Sequence, residues 1–168
     1  VLHEPAAFFF EQARFDREFH ALFRGMPLVA CLSSQVPEPG CFRTFDDAGG
    51  PMLLSRGKDG KVRAFLNVCA HRGARVVREP CGKAARFTCR FHGWTYDTAG
   101  KVIGLPEEDN FCGELEGNKH LTECPAEERH GLVFVVPTPG AALDLDAHLG
   151  ELDADFAAIG LESAEVVH

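Results

Sequence analysis

Residues 67–77 read NVCAHRGARVV and residues 87–97 read FTCRFHGWTYD. In the first stretch one residue separates Cys69 from His71. In the second, two residues separate Cys89 from His92, and seventeen residues lie between His71 and Cys89. The pattern is C-x-H-x17-C-x-x-H, and each Cys–His pair is followed by glycine, Gly73 and Gly93. Two loops that each carry one thiol, one imidazole and a glycine can be brought face to face around a metal centre.

Two metals fit that donor set. Zinc accepts two Cys and two His tetrahedrally, and a Rieske-type [2Fe–2S] cluster places two Cys on one iron and two His on the other. Zinc sites usually group Cys with Cys and His with His. Here each loop supplies one of each, which suits a two-iron rhombus in which both loops must reach both irons. On this reading Cys69 holds the inner iron and His71 the outer one. Two ferric ions and two sulfides carry a charge of +2, so two thiolates and two neutral imidazoles leave the oxidised cluster neutral. A neutral cluster accepts an electron more readily than a dianion, and the class spans roughly −150 to +300 mV. Such a centre is a one-electron carrier, and the outward ring nitrogens of its histidines can meet a carboxylate or carry a proton.

The rest of the chain bounds the setting. Its 168 residues suffice for one domain with a modest appendage. A net charge of −8 argues against nucleic-acid binding, which rests on phosphate neutralisation. No apolar run approaches the ~18 residues of a membrane span, and no secretory signal pattern opens the chain. Seven cysteines without regular spacing argue for a reducing, cytoplasmic setting rather than a disulfide scaffold. The chain lacks an initiator Met, as expected for a piece of something longer. Charge is unevenly placed. Arg72, Arg75, Arg78, Lys83, Arg86 and Arg90 face a single acid, Glu79, whereas residues 141–168 carry only acids. The acidic tail reads as a solvated face. The basic run reads either as solvated or as a docking face for an acidic electron donor or neighbouring subunit.

Residues 4–27, EPAAFFFEQARFDREFHALFRGMP, predict an amphipathic helix with Phe8, Phe15, Phe19, Leu22 and Phe23 as its packing face and Gly25 and Pro27 as its stop. From 28 to about 136, short apolar runs such as PMLLS, VRAFLNV and GLVFVV alternate with turn signals such as PEPG, KDGK and TAGK. That punctuation predicts an antiparallel β-sandwich or small barrel. Leu145, Leu149, Leu152 and Phe156 then share one helical face. The expected organisation is an N-terminal helix over 1–27, a cluster-binding β domain over 28–140 and an acidic helical connector over 141–168.

The stretches NVCAHRGARVV and CRFHGWTYDTAGKVIGLPEEDNF closely resemble the Rieske domain of the large (alpha) subunits of aromatic-ring-hydroxylating oxygenases, and the similarity covers nearly the whole chain. The resemblance implies a mainly β Rieske-type sandwich with a small cluster-binding subdomain. It implies that Cys69, His71, Cys89 and His92 ligate a [2Fe–2S] cluster, with Arg72, Gly73, Gly93, Trp94 and Tyr96 around it. It further implies that a ferredoxin or reductase supplies the electron. The electron then passes, with His92 facing the linking carboxylate, to a mononuclear non-haem Fe(II) in a neighbouring subunit of a trimer, where O2 is activated. After Gly131 the chain offers only His148 and His168, and no facial triad of two His and a carboxylate. The catalytic domain is therefore expected to be absent. Ala74 and Phe91 stand where respiratory Rieske proteins carry an additional cysteine pair, and Trp94 stands where they carry a serine. Both departures predict a potential in the lower part of the class range. A stand-alone Rieske ferredoxin and a zinc-stabilised module are the alternatives.

Overall fold

Two apolar runs, PMLLS and GLVFVV, organise the molecule because each becomes a strand buried on both faces. The computed structural model describes residues 5–47, 49–106, 119–164 and 166. Among the described residues eleven strands form three antiparallel sheets. The first holds β1 (Leu28–Leu32), β11 (Leu132–Val135) and β10 (Ala126–Arg129), in that order. The second runs β5 (Cys81–Lys83), β2 (Cys41–Phe45), β3 (Met52–Arg56), β4 (Val62–Leu66), β9 (Glu123–Cys124). The third is β6 (Arg86–Thr88), β7 (Thr95–Asp97), β8 (Val102–Gly104).

The two-residue period of a strand assigns each side chain to a layer. On β3, Met52 and Leu54 join Val62, Ala64, Val133 and Val135 in the core between the first two sheets. Leu53 points the other way, with Phe65, into a second core that also holds Cys69, Cys89, Trp94 and Tyr96. β11 divides likewise: Val133 and Val135 face the five-stranded sheet, whereas Leu132 and Phe134 face Leu145 and Leu149 of the C-terminal helices. The order of layers is therefore connector helices, first sheet, second sheet, cluster lobe. The antiparallel, mainly β architecture matches the expectation from sequence. Arg56, nearly buried at the end of β3, closes the sandwich edge. It donates to the Val36 and Gly60 carbonyls and makes a two-pronged pair with Glu128 at 2.7 and 3.0 Å.

Tight turns set the strand register. Arg129 pairs with Leu132, so β10 and β11 are joined by His130 and Gly131 alone, at φ 50° and 77°. Two consecutive left-handed residues make the turn whose twist suits a two-residue hairpin.

Both ends depart from the expected helices. The N-terminal segment is a 3-10 turn (Ala6–Phe9), then α1 (Gln12–Glu18), then a π-type turn (Phe19–Phe23). None of α1 is buried, and Phe9, Phe10, Phe15, Leu22 and Phe23 are exposed. Consecutive aromatic residues are poor helix formers, and a helix without a core beneath it gains little from tertiary packing. Phe15, Phe19 and Phe23 instead stack on one another at centroid spacings of 5.8 and 5.7 Å. Asp16 accepts a hydrogen bond from Gln12.

At the other end, Gly150 at φ 52° divides the helix into α2 (Leu145–Leu149) and α3 (Leu152–Ile159). The break buries Leu145 and Leu149 and leaves Leu152 exposed. The acidic tail is not simply solvated, because Arg129 pairs with Asp146 at 2.6 Å and Glu127 at 2.7 Å, and His130 meets Asp153 at 2.9 Å. The helices are thereby fixed to the β10–β11 turn. His3, Cys112 and His168, and the GLPEEDNF segment beyond residue 106, lie outside the described residues.

Candidate metal centre

The two Cys–His stretches form the loops between β4 and β5 and between β6 and β7, and they share one backbone frame. In the first, the Cys69 N–H donates to the Ala74 carbonyl at 2.7 Å and the Gly73 N–H to the Cys69 carbonyl at 2.9 Å. In the second, the Cys89 N–H donates to Trp94 at 2.8 Å and the Gly93 N–H to Cys89 at 2.9 Å. Gly73 and Gly93 both adopt φ 73°, a left-handed conformation that favours glycine. An isolated bridge between Val68 and Arg75 closes the neck of the first loop, and the β6–β7 ladder closes the second.

The frame sorts the four side chains by depth. Cys69 and Cys89 are buried, at 3% and 2% exposure, in the same core cluster. His71 is half-buried, His92 is exposed, and their ring centroids are 4.6 Å apart. Burial holds the Cys69 thiol above its ordinary range, while the Tyr96 hydroxyl and the His71 backbone N–H pull it down. Desolvation, then His92 and Arg72, hold the His71 imidazole below its usual value, which favours the neutral ring a metal needs. A buried thiol pair becomes a thiolate pair only against a compensating cation, so the donor chemistry fits a metal centre. Among the described residues no three His, Cys, Asp or Glu side chains surround a single point. The two thiols lie inside, and the two imidazoles lie closer to the surface.

The surrounding residues have distinct contacts. Tyr96, expected only to pack, places its hydroxyl 3.2 Å from Cys69 Sγ and accepts the Ala70 N–H at 3.1 Å. Either group can donate in this bond, and toward a thiolate, which has no proton to give, the phenol is the donor. Burial, followed by the Cys69 thiol, raises the Tyr96 pKa and keeps that proton in place. Trp94 is buried and stacks on His71. Arg72 is exposed. Within the basic run, Arg75 pairs with Asp46 at 2.8 Å, Lys83 with Glu38 and Arg90 with Glu79, while Arg72, Arg78 and Arg86 are exposed. Sequence reasoning missed Asn67, wholly buried, which donates to the Val77 carbonyl at 2.7 Å and accepts the Val77 N–H at 2.9 Å. That two-way bond ties the strand entering the first loop to the one leaving it. A polar residue inside the apolar run VRAFLNV was the available signal. Cys31 and Cys124 are core thiols, each pushed up to about 11 chiefly by burial, but Cys81 is exposed on β5.

The geometry defines a two-loop iron–sulfur domain, and comparison with known proteins gives its family. The profile of the Rieske [2Fe-2S] domain matches residues 26–134, and the chain belongs to that family. It is 36% identical over 142 residues to biphenyl 2,3-dioxygenase subunit alpha of Rhodococcus jostii, covering 84% of this chain and 31% of that one. It is 35% identical over 156 residues to 2-aminobenzenesulfonate 2,3-dioxygenase subunit alpha of an Alcaligenes species, covering 90% and 39%. Among solved structures, naphthalene 1,2-dioxygenase from a Rhodococcus species bound to indole superposes with a TM-score of 0.82 at 27% identity, covering 92% of this chain and 36% of that one. A quaternary ammonium Rieske monooxygenase in complex with L-carnitine gives 0.84 at 26%, covering 92% and 44%. The chain thus spans about a third of the length of the curated relatives it matches. Among the described residues no helix is long and apolar enough to cross a membrane.

Proposed function

We propose that residues 28–140 transfer single electrons through a [2Fe–2S] cluster. Cys69 and Cys89 hold the inner iron, and His71 and His92 the outer one. The observation that carries this reading is the sorting of donors by depth: both thiols buried in one core cluster, both imidazoles nearer the surface with their rings 4.6 Å apart. Bound there, the cluster supplies reversible one-electron reduction. The chain's residues do the rest: the buried cysteines exclude water from the inner iron, Tyr96 donates to a ligand sulfur, and His92 gives the centre an exposed edge for electron exit.

We further propose that the chain acts as the electron-transfer part of a ring-hydroxylating oxygenase alpha subunit. A ferredoxin or reductase would deliver the electron in a cytoplasmic setting. A mononuclear iron on a neighbouring subunit, in a trimeric assembly, would receive it for O2-dependent hydroxylation. The likeness to dioxygenase alpha subunits supports this, as does the near-complete coverage of this chain against partial coverage of theirs. By itself the chain is expected to transfer electrons without hydroxylating anything. The test is chemical analysis with reductive titration. The expected result is a brown protein with about two irons and two labile sulfides per chain, giving a rhombic EPR signal on one-electron reduction. A colourless protein holding one zinc would overturn the proposal.

A further inference from the structure

The two loops share a backbone frame, yet their histidines rest on different surroundings. In each loop the residue five positions after the cysteine accepts that cysteine's N–H, a role filled by Ala74 in the first loop and Trp94 in the second. Ala74 has no ring to offer. Trp94 sends its indole across to the opposite loop, where it lies parallel to the His71 imidazole, with 6° between planes and 5.0 Å between centroids. The indole is 1% exposed and belongs to the core that also holds both cysteines. Among the described residues His92 stacks on no buried ring: beside it is Phe91, tilted by 39° and itself 62% exposed.

We propose that Trp94 is a positioning residue that fixes the plane of the His71 imidazole relative to the outer iron, while His92 is left free to reorient. The proposal rests on the ligand assignment made above. One residue performs two tasks: its carbonyl holds the cysteine of its own loop, and its side chain holds the histidine of the other. Offset parallel stacking between flat rings is a favoured arrangement at about 4.5–7 Å. A ring held between a core indole and a metal bond loses the rotation a lone metal ligand retains. The orientation of an imidazole about its metal–nitrogen bond sets how its orbitals overlap those of the iron, so Trp94 governs one of the two histidine couplings and not the other.

Pulsed EPR on the reduced, cluster-loaded full chain, with 15N-histidine incorporated, tests this. The variants are Trp94→Leu, Trp94→Phe and, for the other side, Phe91→Leu. In Trp94→Leu one of the two histidine nitrogen couplings should shift and the g-anisotropy with it, while the second coupling stays at its wild-type value. Trp94→Phe, which keeps a ring, should retain both, and Phe91→Leu, which removes an exposed ring that does not fix His92, should leave both couplings at their wild-type values. If Trp94→Leu loads a cluster whose couplings are both unchanged, or both moved alike, the proposal is overturned. If Trp94→Leu takes up no cluster, Trp94→Phe decides. A loaded Phe variant with wild-type couplings supports a ring platform, and an unloaded or altered one shows that bulk alone matters and overturns it. A wild-type signal with no histidine nitrogen coupling would instead sink the ligand assignment.

Discussion

The two Cys–His loops have the same hydrogen-bonded frame and the same left-handed glycine, yet they are not interchangeable. The 69–74 loop follows β4, an inner strand of the large sheet, and is open above Gly73, where an added Cβ would meet nothing within 4 Å. The 89–94 loop joins two short strands and is closed above Gly93, where a Cβ would lie 2.9 Å from Pro106 Cγ. The first loop contributes the histidine that is held, and the second contributes both the indole that holds it and the histidine that is exposed. The frame fixes where the sulfurs and rings start, and the residues between them decide how rigidly each is kept. Near-symmetry of backbone therefore coexists with asymmetry of function.

The largest effect expected is loss of the centre. Cys69→Ala and Cys89→Ala should each give colourless protein, because each removes one of the two buried sulfurs proposed to hold the inner iron. Iron analysis and the visible spectrum check this, and cluster retention in either variant would break the assignment. Next comes the contrast between the glycines. Gly73→Ala should cost about 1–2 kcal/mol for its left-handed φ alone. Gly93→Ala should cost more, because Pro106 must also give way. Urea denaturation of the two variants measures the gap, and equal losses would mean that the closed and open loops do not differ in practice.

Tyr96→Phe should keep the cluster. Removing a donor to a ligand sulfur leaves the added electron less stabilised, so the potential should fall, with a stability loss of about 1 kcal/mol. A potential that stays put in redox titration would return Tyr96 to a packing role. The smallest effect lies outside both loops. Glu128 is held below the usual carboxylate range chiefly by the hydrogen bond from Arg56, against a burial cost. A carboxyl with a lowered folded pKa stabilises fully above its unfolded value and loses that contribution as pH falls through the folded one. Glu128→Gln should thus flatten the acid limb of the stability curve, with a loss near neutral pH of about 1 kcal/mol or less, because the carboxylate is partly exposed. The visible spectrum should be unaffected. A changed spectrum would show that the sandwich edge and the cluster lobe are coupled.

Much of this was legible in the sequence because spacing and periodicity carry it. C-x-H and C-x-x-H, each followed by glycine, marked both loops. PMLLS and GLVFVV, too apolar for a half-exposed strand, announced elements covered on both faces. What escaped depends on where chains meet in space. That Trp94 crosses to His71, or that the Tyr96 hydroxyl reaches Cys69, follows from the register of β6 and β7 and from loop closure, which no local pattern encodes. The N-terminal stripe misled because helical spacing of Phe15, Phe19 and Phe23 says nothing about whether a core lies beneath them. Gly150 was visible as a residue. Its left-handed φ, which splits the acidic helix, arises from packing Leu145 and Leu149 on β11 while Arg129 and His130 hold Asp146 and Asp153.

The central claim is that the thiols share one iron and the imidazoles the other. Mössbauer spectroscopy of the 57Fe-loaded oxidised chain tests it most directly. Two iron sites in equal amounts, with distinct isomer shifts for a sulfur-only and a nitrogen-bearing coordination sphere, are the predicted result. A single doublet, from two irons with identical surroundings, would contradict the account.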